Sequence, residues 1–173
     1  MPDSIITLDL GSRTGWCWWR RGEPLRYGSF LVAPSGVGVG AYMSKADQRL
    51  HAFFAAKPAD AYVIEYLGQF RNSTATLMKT WGLQAAARKV LFERGVYQVD
   101  EAKPDDVRVH CLGRGRRTRE QKKAATREFC RQIGFPTKND DEADAIATLH
   151  WYAHAKGIDI GLPTGPLFGE HAA

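Results

Sequence analysis

Sulfur is scarce in this chain: its three cysteines, Cys17, Cys111 and Cys130, are odd in number, far apart and without paired spacing, which indicates neither a disulfide framework nor a zinc site. They read as reduced, partly buried thiols. Long apolar runs are missing as well. Ile5 to Leu8 is short and ends on Asp9, far from a signal peptide or the roughly 20 apolar residues of a membrane span, so no membrane association and a cytoplasmic location are expected. There is no internal repeat, and 173 residues leave no room for a second full domain. Acids are outnumbered, 19 against 24 Lys and Arg, for a net charge of +5 and a pI near 9.2. That balance suits a polyanionic partner without requiring one.

With 44% hydrophobic and 25% charged residues the chain has globular proportions. Ile5 to Leu10 reads as a buried strand, followed by strands at Gly15 to Arg20 and Leu25 to Val32, a three-strand meander with Gly/Ser- and Gly/Pro-containing turns. A Pro/Gly/Ser-rich loop, residues 33–40, leads into a helix from about Tyr42 to Ala55. A fourth strand is expected at Ala61 to Glu65, a long helix at Thr74 to Arg94, and a short fifth strand at Val96 to Val99, after the stop signal of Gly95. Helices follow at Pro104 to Cys111, Arg119 to Ile133 and Asn139 to Lys156. Residues 1–156 therefore read as one α/β domain, a mixed sheet covered by helices, with 157–173 as a Gly/Pro-rich tail on the surface.

Two of the apolar runs end on an acid, Asp9 and Glu65. An ionised carboxylate drawn out of water costs several kcal/mol, in rough terms, unless a cation or hydrogen bonds compensate. Alternate residues of a strand share a face, so Thr7 points with Asp9, and Val63 with Glu65. Asp141 and Asp144 lie three apart on one face of the last helix. Each feature has an ordinary explanation: Asp9 opens a turn, Glu65 is the first solvated residue after a strand, and Asp140 to Glu142 follow the N-cap Asn139 and favour the helix dipole. Asp144 escapes that account, since it lies beyond the first turn between Ala143 and Ala145. Carboxylates converging from separate segments suit Mg²⁺ or Mn²⁺, hard cations that take oxygen ligands. Six of the eleven residues from Gly113 to Lys123 are Arg or Lys, a local cationic patch.

Four blocks resemble the RuvC family of Holliday-junction resolvases, within the RNase H-like nuclease superfamily: Ile-Thr-Leu-Asp-Leu-Gly-Ser-Arg-Thr-Gly-Trp (6–16), Val-Ile-Glu (63–65), Gly-Arg-Gly-Arg-Arg-Thr-Arg-Glu-Gln (113–121) and Asp-Glu-Ala-Asp-Ala-Ile-Ala (141–147). Their order and intervals fit that family from end to end. The likeness departs from it at two points: the turn after Asp9 is one residue short, and a lysine expected near the Gly-x-Gly block is Arg119. The shortened turn points to a phage-type or otherwise diverged member.

The resemblance implies an RNase H-like five-stranded mixed sheet, a three-strand antiparallel meander plus two parallel strands with strand one at the centre, flanked by helices. It also implies a homodimer, and two Mg²⁺ or Mn²⁺ ions per active site held by Asp9, Glu65, Asp141 and Asp144 as the catalytic residues. The activity implied is crossover-junction endonuclease: symmetric hydrolysis of a four-way DNA junction to 5′-phosphate and 3′-hydroxyl ends, in recombination and repair. Arg114, Arg116, Arg117, Arg119, Lys122 and Lys123 would hold the phosphodiester backbone, with Arg119 or a nearby lysine adding charge at the scissile phosphate. Phe70 is placed either to stack on an unpaired junction base or to pack in the core. The five tryptophans read as core or interface residues, and no residue identifies a branch-migration partner. Another RNase H-like nuclease acting on branched DNA or RNA·DNA hybrids, and a junction-binding protein without catalysis, stand as alternatives. An actin-like ATPase is excluded by size, since it needs two such domains, and the glycines of residues 36–40 lack the Lys-Ser/Thr ending of a phosphate loop.

Overall fold

In the computed structural model the chain is described over residues 1–67 and 73–162. These residues form five strands and five helices: β1 (Ser4–Asp9), β2 (Arg13–Arg20), β3 (Arg26–Leu31), α1 (Val39–Ala56), β4 (Ala61–Glu65), α2 (Thr74–Glu93), β5 (Asp100–Ala102), α3 (Pro104–Leu112), α4 (Arg119–Gln132) and α5 (Asp140–Lys156). The strands make one sheet in the order β3-β2-β1-β4-β5. The β1–β2 and β2–β3 pairs are antiparallel, β1–β4 and β4–β5 parallel. This is the expected mixed α/β architecture, with β1 at its centre.

Because β1 and β4 are buried on both faces, their side chains sort by alternation into two cores. Ile6, Leu8, Tyr62 and Ile64 pack with Leu50 and Phe54 of α1 and with Leu83, Val90 and Leu91 of α2. Ile5 and Val63 pack on the other side with Val107 of α3, Phe129 of α4 and Ile146 and Leu149 of α5. The result is three layers with α5 buried against the sheet and α3 and α4 beside it. No helix among the described residues is long and apolar enough to cross a membrane.

Three expectations need adjustment. The fifth strand is Asp100–Ala102, not Val96 to Val99. The parallel register opposes Val63 to Asp100, so the preceding residues are used up carrying the chain from α2 to the sheet edge. There Val96 and Val99 close the first core. Helix α1 begins at Val39, inside the expected loop, with Gly38 at its N-cap. The segment after α5 is not wholly superficial, for Ile158 and Ile160 are buried in the second core.

Candidate active site

The alternation that gives Ile5 and Val63 to the α5 side of the sheet also gives it Thr7, Asp9 and Glu65. Asp9 and Glu65 close parallel neighbouring strands, so both emerge at the same end of the sheet. Helix α5 then lies across that end and delivers Asp141 and Asp144.

Its position is fixed by several contacts. Thr7 Oγ1, fully buried, donates to the carbonyl of Ala145 at 2.6 Å. The buried Glu142 carboxylate accepts from Ser29 Oγ at 3.0 Å, from the Lys138 amide at 2.9 Å and from Asn139 Nδ2 at 3.3 Å. Asn139 caps the helix, its Oδ1 accepting from the Glu142 amide at 3.0 Å. Gly15 permits the approach: a Cβ there would stand 1.8 Å from the Asp141 carbonyl oxygen. Gly15 pairs with Asp9 across β1–β2 and with Ser29 across β2–β3, so one register places the acid, the gap and the helix anchor side by side.

All four carboxylates are half-buried, and all four are pushed up from their ordinary range. Burial is the main cause at each. For Asp9, repulsion from Glu65, Asp144 and Asp141 adds to it. Glu65 rises to about 7 through burial and then Asp144. Asp144 rises to about 6 through burial, with Asp140 and Asp141 adding and Arg108 opposing. Acids from β1, β4 and α5 thus stand close enough to repel one another. Glu65 and Asp144 line a cleft whose walls include Pro104, Arg108 and Cys111 of α3 and Thr126 of α4.

Of the basic residues singled out in the sequence, Lys123 approaches the acids most directly. Its Nζ lies 3.0 Å from Asp140, which also holds Arg127 at 3.3 Å, so these pairs tie α4 to the start of α5. The Lys123 charge lowers both Asp141 and Asp144. Arg114, Arg116 and Arg117 occupy the α3–α4 connection, and Arg119 and Lys122 lie in the first turn of α4; Arg114, Arg116 and Arg119 are exposed, Arg117 and Lys122 half-buried. Phe70 lies outside the described residues.

Arg108 escapes a sequence reading. Its charge lowers Asp9, Glu65 and Asp144 together. In the sequence it passes for the surface partner of Asp105, which it does meet at 3.4 Å. The one available signal is its place a helical turn before the buried Cys111 and Leu112.

The donor set fits a hard divalent cation. It is all carboxylate oxygen, drawn from three segments, and it is left short of positive charge despite Arg108 and Lys123.

The fold has counterparts among solved structures. Thermus thermophilus RuvC in complex with a Holliday junction substrate matches with a TM-score of 0.66 at 15% identity, over 89% of this chain and 96% of that one. A second Thermus thermophilus RuvC structure matches at 0.63 with 16% identity, over 89% and 96%. The yeast mitochondrial Holliday junction resolvase Ydc2 matches at 0.60 with 11% identity, over 88% of this chain and 80% of that one. No protein-family model and no curated protein matches the sequence. The fold is RuvC-like.

Proposed function

We propose that this chain is a metal-dependent, structure-selective endonuclease that resolves four-way DNA junctions by symmetric phosphodiester hydrolysis, leaving 5′-phosphate and 3′-hydroxyl ends. The observation that supports this reading is that Asp9 repels Glu65, Asp141 and Asp144 at one end of the sheet of a RuvC-like fold. Two structural relatives are Holliday-junction resolvases by name or by bound substrate, and this chain is assigned the same class of substrate. Paired cuts require two sites in fixed relation, so the working form is a homodimer.

Asp9, Glu65, Asp141 and Asp144 would hold two Mg²⁺ or Mn²⁺ ions, which when bound supply a nucleophilic water at neutral pH and charge stabilisation for the leaving 3′ oxygen. The rest of the work falls to the chain's own side chains. Thr7 and Glu142 fix α5, so that Asp141 and Asp144 keep their aim without reorganisation. Arg108, on the α3 wall, offers a fixed positive charge toward a phosphate entering beside Glu65 and Asp144. Lys123 adds a second charge, held in place by Asp140.

The test incubates wild type and Asp9→Asn with a labelled four-way junction, a linear duplex and an RNA·DNA hybrid, with Mg²⁺, Mn²⁺ or EDTA. Expected are paired symmetric nicks confined to the junction, dependent on metal and lost in Asp9→Asn while junction binding persists. Preferential cutting of the hybrid would move the chain to a different nuclease activity. Binding without cutting under either metal would leave a junction-binding protein.

A further inference from the structure

Helices α3 and α5 bring together a second group of metal-ligating side chains. His110 Nε2 and His150 Nδ1 lie 2.8 Å apart, and one ligand atom from each of His110, Cys111 and His150 falls within 4.8 Å of the others. His150 and Cys111 are buried and His110 half-buried. His154, one turn beyond His150 on α5, lies against the His110 ring in a tilted contact with centroids 4.7 Å apart and planes at 34°.

We infer that His110, Cys111 and His150 form a binding site for a thiophilic divalent cation of the Zn²⁺ class, distinct in its donors from the neighbouring carboxylate centre. Three observations carry this. First, the donors are imidazole nitrogen and sulfur, a set that selects zinc-like ions where the all-oxygen pit selects Mg²⁺ or Mn²⁺. Second, the two ring nitrogens point at each other, so a single proton lies between two ligand lone pairs and a cation is the alternative occupant. Third, the spacing is close to what an ion needs. Tetrahedral zinc with Zn–N of about 2.0–2.1 Å and Zn–S of about 2.3 Å sets nitrogens about 3.3 Å apart and sulfur about 3.6 Å from each nitrogen. The nitrogens would therefore part by roughly 0.5 Å and the sulfur would close in, movements within reach of side-chain rotation.

The surroundings favour the ligating form of the rings. The Phe129 ring meets His150 edge-on at 5.0 Å and supplies an apolar wall. Cys111 belongs both to this cluster and to the lining of the catalytic cleft, so an ion bound here would staple the Arg108-bearing helix to the Asp144-bearing one.

The test strips the full-length protein of metal and titrates it with Co²⁺ alone, then with Zn²⁺. Expected is a thiolate-to-cobalt charge-transfer band in the near ultraviolet with tetrahedral d–d absorption, saturating at a single equivalent and bleached by Zn²⁺. Asp9→Asn and Glu65→Gln should keep both signals. Cys111→Ser should lose the near-ultraviolet band. His110→Ala, at a half-buried position, should fold by circular dichroism yet bind Zn²⁺ more weakly by upwards of about 100-fold. No thiolate band in the wild type would overturn the inference. So would Zn²⁺ binding that survives both Cys111→Ser and His110→Ala, or that disappears in Asp9→Asn.

Discussion

At the scale of the residue, the acids of the cleft are placed against their own stability. Glu65 ordinarily titrates near 4.5 and is pushed up to about 7 by burial and Asp144. Between those values the folded chain holds a proton that the unfolded chain has released, so this group's contribution falls as pH rises through the window. In metal-free buffer Glu65→Gln should therefore be more stable than wild type at pH 8, by on the order of 2 kcal/mol, and the two should converge near pH 4. Added Mg²⁺ should stabilise the wild type more than the variant at pH 8, because a cation bound only by the folded state shifts the equilibrium toward it. Thermal melts of both proteins at the two pH values, with and without Mg²⁺, provide the check; a variant that is less stable than wild type in metal-free buffer at pH 8 would show that Glu65 is already compensated. Arg108 belongs to the same ledger of charge, since among the described residues it is the group that lowers Asp9, Glu65 and Asp144 alike.

At the scale of the element, the decisive fact is how near α5 comes to β2. A methyl group on Gly15 would stand 1.8 Å from the Asp141 carbonyl oxygen and 2.3 Å from its carbon, and these are backbone atoms that cannot rotate away. Gly15→Ala should lift the start of α5, with a loss of about 2–3 kcal/mol from overpacking. Misaimed Asp141 and Asp144 should slow junction cleavage by about 100-fold. Gly40→Ala, in α1 with nothing within 4 Å of an added Cβ, is the control and should cut at the wild-type rate. A Gly15→Ala protein of wild-type stability and rate would show that α5 is held otherwise. In the sequence Asp144, beyond the first turn and between two alanines, stands out by itself, whereas Asp9, Glu65 and Asp141 each have an ordinary local explanation and draw attention only in combination. The sequence hides β5, since Asp100 and Glu101 carry no apolar alternation and are satisfied by distant partners: Tyr152 Oη donates to Asp100 at 2.5 Å, and Arg88 meets Glu101 at 2.6 Å. Arg108 is hidden by its local pairing with Asp105. The His110–His150 pair is hidden because forty positions separate its members, and only the packing of α3 on α5 joins them. Gly15 illustrates the same limit: within a strand pattern a glycine marks a close approach but does not say what approaches.

At the scale of the molecule, charge and cleft are arranged around the same pair of helices. Helices α3 and α4 wall the acidic pit, and their connection carries Arg114, Arg116 and Arg117, so a polyanion drawn to the loop is brought to the helices that flank the carboxylates. The net charge of +5 is modest enough that this local cluster, rather than the overall field, should dominate the salt dependence of DNA binding. Each phosphate contact contributes about 0.9 to the slope of log K against log salt. Replacing the exposed Arg114 and Arg116 by alanine should therefore weaken junction binding and flatten that slope by about 2, while leaving the cleavage rate of saturated complexes close to wild type, because neither side chain lines the pit. Binding isotherms across a salt series, paired with single-turnover cleavage at saturating protein, separate the two effects. An unchanged slope would remove the loop from the DNA interface. A flattened slope together with a collapsed single-turnover rate would mean that the loop also shapes the pit, and would shift the task of charge stabilisation away from Arg108 and Lys123 alone.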